Sequence, residues 1–176
     1  MEVKKEQEKV KRKLDTQLKG YRVYPLVNKW KAQYMPGQYG KRLRFKFLVL
    51  VGDSCLGKTQ YAVHLFGVKS TYYTNCQNVE SPNLSGFERN VHKAIVLDEV
   101  DPVMVIKNKA LFQCNVEGVR LQESRCQQSA IWRWLYFVPI IVCTNSWELG
   151  RLPYDDSNWL QKNSEVLHLR EQTWLE

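Results

Sequence analysis

Three nearly continuous apolar runs divide the chain: FKFLVLV (residues 45–51), KAIVLDEV (93–100) and VPIIVCTNSW (138–147). Their apolar residues follow one another with little alternation, which is typical of strands buried on both faces of a parallel sheet. Each run ends at a glycine or at polar residues, where a buried strand would leave the core. We therefore predict three buried strands with polar groups at their carboxyl ends.

The segments around these runs favour helices and shorter strands, so strands alternate with helices along the chain. This order predicts an α/β domain whose mostly parallel sheet is flanked by helices. The expected further elements are a short helix near Trp30, a helix over 60–66, a strand from Ser70, a loop with a short helix over 76–92, a helix over 108–113, strands or a hairpin within 119–137, and a short helix with a last strand within 157–170.

Residues 1–20 are predicted to form a basic N-terminal helix or tail ahead of one domain over residues 21–176. Residues 2–19 contain no proline or glycine, and their apolar stripe is too thin for a core helix. This pattern favours a helix that docks or oligomerises, or a solvated basic tail. The basic sequence KVKRK within it is compatible with nuclear import or with attraction to phosphates. The stripe consists of Val3, Val10, Leu14 and Leu18.

The charge balance favours an acidic partner. The chain of 176 residues has 26 Lys and Arg against 18 Asp and Glu, a formal net charge of +8. Nucleic acid is the commonest acidic partner of such a chain, and a solvated basic surface is the alternative. No run approaches the roughly 20 apolar residues of a membrane span, so no membrane association is expected.

The cysteines and histidines argue against a metal or disulfide framework. The five cysteines are odd in number and form no Cys-x-x-Cys pair, and the three histidines are scattered. This usage favours reduced thiols in an intracellular compartment over a zinc site or a set of disulfides.

The segment GDSCLGKT follows the first apolar run directly and matches the pattern G-x-x-x-x-G-K-[ST]. Glycines let such a loop wrap closely around phosphates, so that its backbone N–H groups point at the anion. Lys58 is expected to reach the β- and γ-phosphates of ATP, and Thr59 is expected to bind Mg²⁺. The residues predicted to bind the nucleotide are Gly52, Asp53, Ser54, Cys55, Leu56, Gly57, Lys58 and Thr59.

Two carboxylates end the second apolar run. Asp98 suits the Mg²⁺ of a bound nucleotide, and Glu99 suits a general base that orients and deprotonates the attacking water. This adjacent pair favours hydrolysis over phosphoryl transfer to a small molecule. Asp101 precedes Pro102 and is expected to be a turn residue.

Asn145 ends the third apolar run. Ligands of open α/β sheets collect at the carboxyl ends of the strands, so Asn145 points at the same crevice if the strands are neighbours. Its amide would then hold the lytic water or sense the γ-phosphate. The alternative is a helix or turn cap, for which asparagine is well suited.

The segments LVGDSCLGKT, HKAIVLDEV and VPIIVCTN resemble, in this order and spacing, the motifs of superfamily 3 helicases. More closely, they resemble the helicase domain of replication-associated (Rep) proteins of circular single-stranded DNA viruses and their integrated relatives. The resemblance covers about residues 45–147. It implies an AAA+-like P-loop NTPase fold and Mg²⁺-dependent ATP hydrolysis with Lys58, Glu99 and Asn145 as catalytic residues. It also implies a homo-oligomeric ring, expected to be a hexamer, and translocation on single-stranded DNA.

The resemblance also implies a DNA-contacting hairpin between the second and third motifs. The matching region, NVEGVRLQESRCQQSAIWRW, offers three arginines for contacts with DNA phosphates: Arg120, Arg125 and Arg133. Such contacts would be independent of sequence and sensitive to salt. The alternative is that these arginines are solvated surface residues.

The chain departs from the Rep pattern in three places, one of which is the loop sequence DSCL, where many relatives have more glycine and proline. It has no His-x-His pair and only a short segment before the ATPase, so DNA nicking is expected to be absent. Lys162 and Asn163 stand where relatives carry an arginine pair that reaches a neighbour's γ-phosphate, with Arg151 or Arg170 as possible substitutes. The alternatives are a truncated or endogenised module that binds nucleotide and nucleic acid without unwinding, and a P-loop kinase. A nuclear location is favoured for a eukaryotic host or virus.

Overall fold

The computed structural model describes residues 20–121 and 131–175. The N-terminal helix predicted over residues 2–19, and Arg125 of the predicted hairpin, lie outside the described residues. Within the described part, no helix is both long enough and apolar enough to cross a membrane.

The central element is a five-stranded sheet in which all four strand pairings are parallel. The strands of this sheet are, in chain order, β1 (Phe47–Val51), β2 (Thr71–Asn75), β3 (Ala94–Asp98), β6 (Ile140–Thr144) and β7 (Ser164–His168). Their spatial order across the sheet is β2-β3-β6-β1-β7. Helices lie in the connections from β1 to β2, from β3 towards β6 and from β6 to β7. The predicted fold class is confirmed: a parallel α/β sheet flanked by helices, with a P-loop NTPase-like fold.

The three apolar runs form the three inner strands. Every residue of β1 and β6 is buried, as are the first four residues of β3. Side chains alternate between the two faces of a strand, so complete burial requires that both faces of the sheet be covered. The continuous apolar pattern follows from this covering.

The helices differ from the prediction mainly in their bounds. The helix after the glycine-rich loop begins at Lys58, two residues earlier than expected, and residues 76–92 form turns where a short helix was expected. The predicted helix over 108–113 exists as a four-residue turn of helix. The helices are α1 (Pro25–Ala32), α2 (Lys58–His64), α3 (Pro102–Lys107), α4 (Lys109–Phe112) and α5 (Tyr154–Asn163), with 3₁₀ turns at Pro36–Gln38 and Val68–Ser70.

Helix α3 was not predicted, and its start corrects the interpretation of Asp101. The Asp101 carboxylate accepts a hydrogen bond from the Met104 backbone N–H at 2.8 Å, which caps the helix. Pro102 occupies the first helical position, where its missing N–H costs nothing. Asp101 is therefore a helix N-cap.

The predicted hairpin region forms a separate two-stranded antiparallel sheet of β4 (Val119–Leu121) and β5 (Ile131–Arg133). Arg120 pairs with Trp132 across this sheet, and Val119 pairs with Arg133. The hairpin thus lies between the second and third motifs, where the sequence placed it.

The end of the described chain returns to the start of the domain. Residues 171–175, the C-terminal strap, lie along the glycine-rich loop: the Thr173 N–H donates to Leu56 O at 3.0 Å. On its other side, the Arg22 N–H donates to Thr173 O at 2.7 Å, and Tyr21 forms a β-bridge with Trp174. The strap therefore sits between the loop and residues 20–22.

Candidate active site

The carboxyl ends of β3, β6 and β1 lie side by side at one edge of the sheet. Val51 pairs with Thr144, and Asp98 pairs with Cys143, so the residues that follow each strand share this edge. The structure thereby brings the GDSCLGKT loop, the Asp98–Glu99 pair and Asn145 together around one cavity. This is the arrangement expected if the three strands are neighbours.

The two glycines of the loop occupy positions that a side chain could not. A Cβ on Gly52 would lie 2.9 Å from Leu169 O and 3.0 Å from a Leu56 methyl carbon. Gly57 has φ of 78°, in the left-handed region that favours glycine, and a Cβ there would lie 2.6 Å from both Thr173 Oγ1 and the Trp174 ring. The strap and Leu169, which follows β7, therefore leave no room for a side chain at these two positions.

Lys58 is buried to 8% exposure and points its ammonium into the loop. Its Nζ donates to Gly52 O at 2.8 Å, to Asp53 O at 2.7 Å and to Asn145 Oδ1 at 2.9 Å. An ammonium has three hydrogens to donate, and these three acceptors match that number. Lys58 therefore joins the first and third strand ends, with its charge held at the centre of the loop.

Asn145 also contacts the loop from its other amide atom, where Nδ2 donates to Ser54 Oγ at 3.4 Å. Its side chain thus lies against the loop and across from Lys58, and not in a helix-capping geometry. The remaining loop residues differ in exposure: Asp53 and Cys55 are exposed, and Leu56 packs towards Gly52.

Thr59 and Asp98 form the second link between strand ends. The Thr59 hydroxyl donates to Asp98 Oδ2 at 2.9 Å, while the Glu99 N–H donates to Asp98 Oδ1 at 3.1 Å. A hydroxyl and a carboxylate oxygen in contact are suitable ligands for Mg²⁺, which takes one or two protein oxygens and completes its shell with water and substrate phosphates. These two residues therefore fit the predicted cation.

The part of the chain that the structure describes contains no cluster of His, Cys, Asp or Glu side chains of the kind that binds a metal ion without a further ligand. Over residues 20–121 and 131–175, no three His, Cys, Asp or Glu side chains could together hold a metal ion. A cation at this edge would accordingly depend on Thr59 and Asp98 together with a phosphate-bearing ligand.

Glu99 lies on the cavity wall with its side chain exposed. Its φ of 58° is left-handed, which is unfavourable for a residue other than glycine or asparagine and is often found at functional sites. The next residue returns to the sheet, since the Val100 N–H donates to Cys143 O at 3.4 Å. The unusual backbone therefore turns Glu99 out of the strand towards the cavity.

The buried thiols near the site are neutral. Burial raises the pKa of Cys143, which lies beside Asp98 in the sheet, and the Asp98 charge raises it further. Burial and then the Asp98 charge raise the pKa of Cys76 to about 12. These thiols pack as small apolar groups, so the ionic chemistry at this edge rests with Lys58, Asp98 and Glu99.

Sequence reasoning missed Tyr73, which supports Asp98. Its hydroxyl donates to Asp98 Oδ2 at 3.2 Å, the oxygen that also accepts from Thr59. Burial, and then the Asp98 charge, raise the pKa of Tyr73, so the phenol remains a donor at neutral pH. The segment STYYTN predicted a strand, but it did not indicate that Tyr73 faces the end of β3.

If the chain hydrolyses ATP as its sequence predicts, replacing Tyr73 with phenylalanine should raise the Mg²⁺ concentration needed for half-maximal hydrolysis by about two- to tenfold, because one hydrogen bond that positions the Asp98 carboxylate is lost. The rate at saturating Mg²⁺ should change little. Tyr72→Phe is the matched control, since the Tyr72 hydroxyl donates to Asn83 O, away from this edge. Equal effects of the two substitutions on the Mg²⁺ dependence would refute the role given to Tyr73.

Trp174 is the second residue that sequence reasoning missed. It lines the cavity, which has a volume of about 530 Å³, well within the size range of small-molecule sites. No sequence motif marks it, because its place depends on the path of the C-terminal strap. The lining residues are Ser54, Cys55, Gly57, Lys58, Thr59, Gln60, Asp98, Glu99, Asn145 and Trp174.

Of the predicted DNA-contacting arginines, the two that the structure describes, Arg120 and Arg133, do not line this cavity. Arg120 is exposed on β4. The Arg133 guanidinium donates to Leu84 O at 3.2 Å and to Ser85 O at 2.7 Å, which ties the hairpin to the loop before it. Arg133 thus has a structural role in this conformation, and contact with DNA by these arginines stays a prediction.

The candidates for a neighbour-reaching arginine also lie on the surface. Arg151 is exposed and lies 3.5 Å from the Glu148 carboxylate, and Arg170 is exposed after β7. Lys162 and Asn163 end α5, where the Asn163 amide donates to Trp159 O at 2.8 Å. Among the described cavity-lining residues, Lys58 is the one cation.

Comparison with known proteins identifies no family for the chain but does identify a solved structure of low similarity. No protein-family model matches the chain, and no curated protein matches it. Among solved structures, the chain is similar to the S. cerevisiae Hsp104–ADP complex, with 12% sequence identity and a TM-score of 0.47. The match covers 82% of this chain and 32% of that chain, so the chain spans about a third of its length. The description of the fold as P-loop NTPase-like rests on the strand order and the geometry of the glycine-rich loop.

Proposed function

We propose that this chain binds and hydrolyses ATP with Mg²⁺ and acts as a helicase-like motor domain on single-stranded DNA. The observation that carries the proposal is the meeting of three strand ends at one cavity. There Lys58 contacts Asn145, and Thr59 contacts Asp98. A loop that only bound phosphate, without hydrolysing a nucleotide, would need neither of these two contacts.

In the proposed reaction, the residues that follow each of the strands β1, β3 and β6 have a distinct role. The N–H groups of the loop and the Lys58 ammonium hold the β- and γ-phosphates and stabilise the charge that develops on them. When bound at Thr59 and Asp98, Mg²⁺ would neutralise charge on the same phosphates. Glu99 accepts a proton from the attacking water, and Asn145 orients that water or contacts the γ-phosphate. These roles are consistent with the position of all five side chains on the cavity wall.

The proposed partner is nucleic acid, in particular single-stranded DNA. The net charge of +8 and the exposed Arg120 and Trp132 on the hairpin support it. Exposed basic and aromatic side chains together suit a flexible strand, whose phosphates pair with arginine and whose bases stack on rings. A nuclear location accords with this partner.

A homo-oligomeric ring, hexameric by resemblance to superfamily 3 helicases, is the proposed assembly. Hydrolytic motors of this kind stabilise the transition state with an arginine, and among the described lining residues Lys58 is the only cation. An arginine from a second copy, Arg151 or Arg170, would supply the missing charge.

The second candidate is a module that binds nucleotide and nucleic acid without unwinding. The presence of Lys162 and Asn163 at the end of α5, where Rep helicases carry arginines, favours it. A P-loop kinase is less favoured, because the adjacent Asp98 and Glu99 suit attack by water.

Strand displacement from a forked DNA duplex, assayed alongside phosphate release, separates these candidates. For a motor we expect single-stranded DNA to raise the ATPase rate, with displacement that requires ATP and weakens as salt increases. ATP binding without DNA stimulation or displacement would favour the binding module. Double-stranded and single-stranded RNA in the same assay would show whether DNA is the preferred strand.

A further inference from the structure

We propose that Trp174, on the C-terminal strap, is the surface on which the base of a bound purine nucleotide stacks. This inference rests on the proposed nucleotide binding and assigns the part of the ligand that the phosphate-binding motifs leave unassigned. It also gives the strap, which no motif marks, a place in the binding site.

The strap is fixed on both sides by its backbone. Thr173, which is fully buried, donates from its N–H to Leu56 O at 3.0 Å and from Oγ1 to Gly57 O at 3.2 Å. On the opposite side, the Arg22 N–H donates to Thr173 O at 2.7 Å and the Leu175 N–H donates to Gly20 O at 2.9 Å. The backbone of Trp174 is therefore held between two pairs of hydrogen bonds, which place its side chain beside the glycine-rich loop.

The segment that holds the strap is itself anchored to helix α2. The Tyr21 ring, which bridges to Trp174 through the backbone, packs at 5.7 Å from the Tyr61 ring and at 4.9 Å from the His64 ring. Because α2 begins with Lys58 and Thr59, the same helix carries the phosphate-binding residues and the support of the strap.

The indole ring lies directly against the glycine-rich loop. A Cβ placed on Gly57 would come within 2.6 Å of Trp174 Cζ3 and 2.8 Å of Cε3, so the benzene part of the indole occupies the space that a larger residue would need. A half-buried tryptophan in this place leaves part of its ring facing the cavity that Lys58, Thr59 and Gln60 also line.

The base of a nucleotide whose phosphates sit in the loop must lie within one nucleotide's length of Lys58. Of the described residues lining the cavity, Trp174 is the single aromatic side chain, and the others are small, polar or charged. Stacking on an aromatic ring suits any base and is strongest for the large purine rings. The geometry thus points to a base site with preference for ATP and GTP over pyrimidine nucleotides.

The test is to compare ligands with and without a base. Affinities for ATP and for inorganic triphosphate, both with Mg²⁺, are measured for wild type, Trp174→Phe, Trp174→Leu and Trp174→Ala. We expect Trp174→Ala and Trp174→Leu to weaken ATP binding about five- to a hundredfold, and Trp174→Phe to retain most of it. Binding of triphosphate should stay within about twofold of wild type. With CTP measured in the same way, the preference of wild type for ATP over CTP should disappear in Trp174→Ala and Trp174→Leu.

Tyr154→Ala is the matched control, because Tyr154 is a highly exposed aromatic residue outside the cavity lining. Equal weakening of ATP and triphosphate in the Trp174 variants would overturn the proposal, since the strap would then only shape the loop. ATP binding unchanged in folded Trp174→Leu would overturn it as well. If Trp174→Ala does not fold, the comparison of Trp174→Phe with Trp174→Leu tests the proposal instead. Wild type that binds neither ligand would instead refute the proposed function.

Discussion

Replacing Lys58 with alanine should lower ATP turnover about a hundredfold or more, the scale observed when a charge stabiliser is removed from a reaction centre. Lys58 is the one cation among the described residues of the cavity wall, and it lies in contact with Asn145. Without it, the β- and γ-phosphates lose their charged partner. Steady-state phosphate release measures the loss of turnover, and a direct ATP-binding titration measures the loss of affinity separately.

The control for this substitution must address folding, because Lys58 Nζ also satisfies two loop carbonyl groups and the Asn145 amide. Lys58→Met keeps the length of the side chain, and thermal unfolding of both variants reports any loss of stability. Lys69→Ala is the matched control, since Lys69 is exposed and lies outside the cavity lining. Turnover at the wild-type rate in a folded Lys58→Ala variant would show that the loop is not a nucleotide site.

Replacing Glu99 with glutamine should leave ATP binding intact and slow its hydrolysis by about a hundred- to ten-thousandfold. The amide has nearly the same shape, so the left-handed backbone at this residue is unchanged, but it cannot accept the proton of the attacking water. Asp98, Thr59 and Lys58 would still hold the nucleotide. A single-turnover experiment should find bound ATP that persists where wild type converts it to ADP.

Glu80→Gln is the control for this effect, because Glu80 is exposed and does not line the cavity. If Glu99→Gln hydrolysed ATP as fast as wild type, the general base would have to be another group. If it lost ATP binding instead, Glu99 would serve the cation rather than the water.

The site was largely predictable because its main residues are adjacent in sequence to buried strands. A continuous apolar run identifies a strand covered on both faces, and parallel neighbours place their carboxyl ends at one edge. From this alone, Gly52, Asp98 and Asn145 could be expected to meet, and the strand order β3-β6-β1 brings them together. The spacing of the glycines added the loop.

Tyr73 and Trp174 could not be predicted, because their positions depend on how distant segments pack. Tyr73 reaches Asp98 only because β2 pairs in register with β3, and a strand pattern does not reveal its neighbour. Trp174 reaches the loop only because the chain turns back after β7 and is held by residues 20–22. Local patterns contain no information on either contact.

The helix after β3 was missed for a different reason. An aspartate before a proline occurs both in turns and at helix starts, and the sequence LDEVDP was interpreted as a turn. In the structure the following residues bury Met104 and Val105 against the core, and this packing decides in favour of a helix capped by Asp101. Burial, and not local propensity, resolved the ambiguity.

The most direct test of the central claim is phosphate release from ATP by the purified wild-type chain, with Mg²⁺ and with the Mg²⁺ removed by a chelator. The arrangement of Lys58, Thr59, Asp98 and Glu99 predicts multiple turnovers that require Mg²⁺ and are inhibited by ADP. If the folded chain releases no phosphate and binds no ATP at millimolar nucleotide and Mg²⁺, with and without single-stranded DNA, the assignment of this cavity as an ATP site is contradicted.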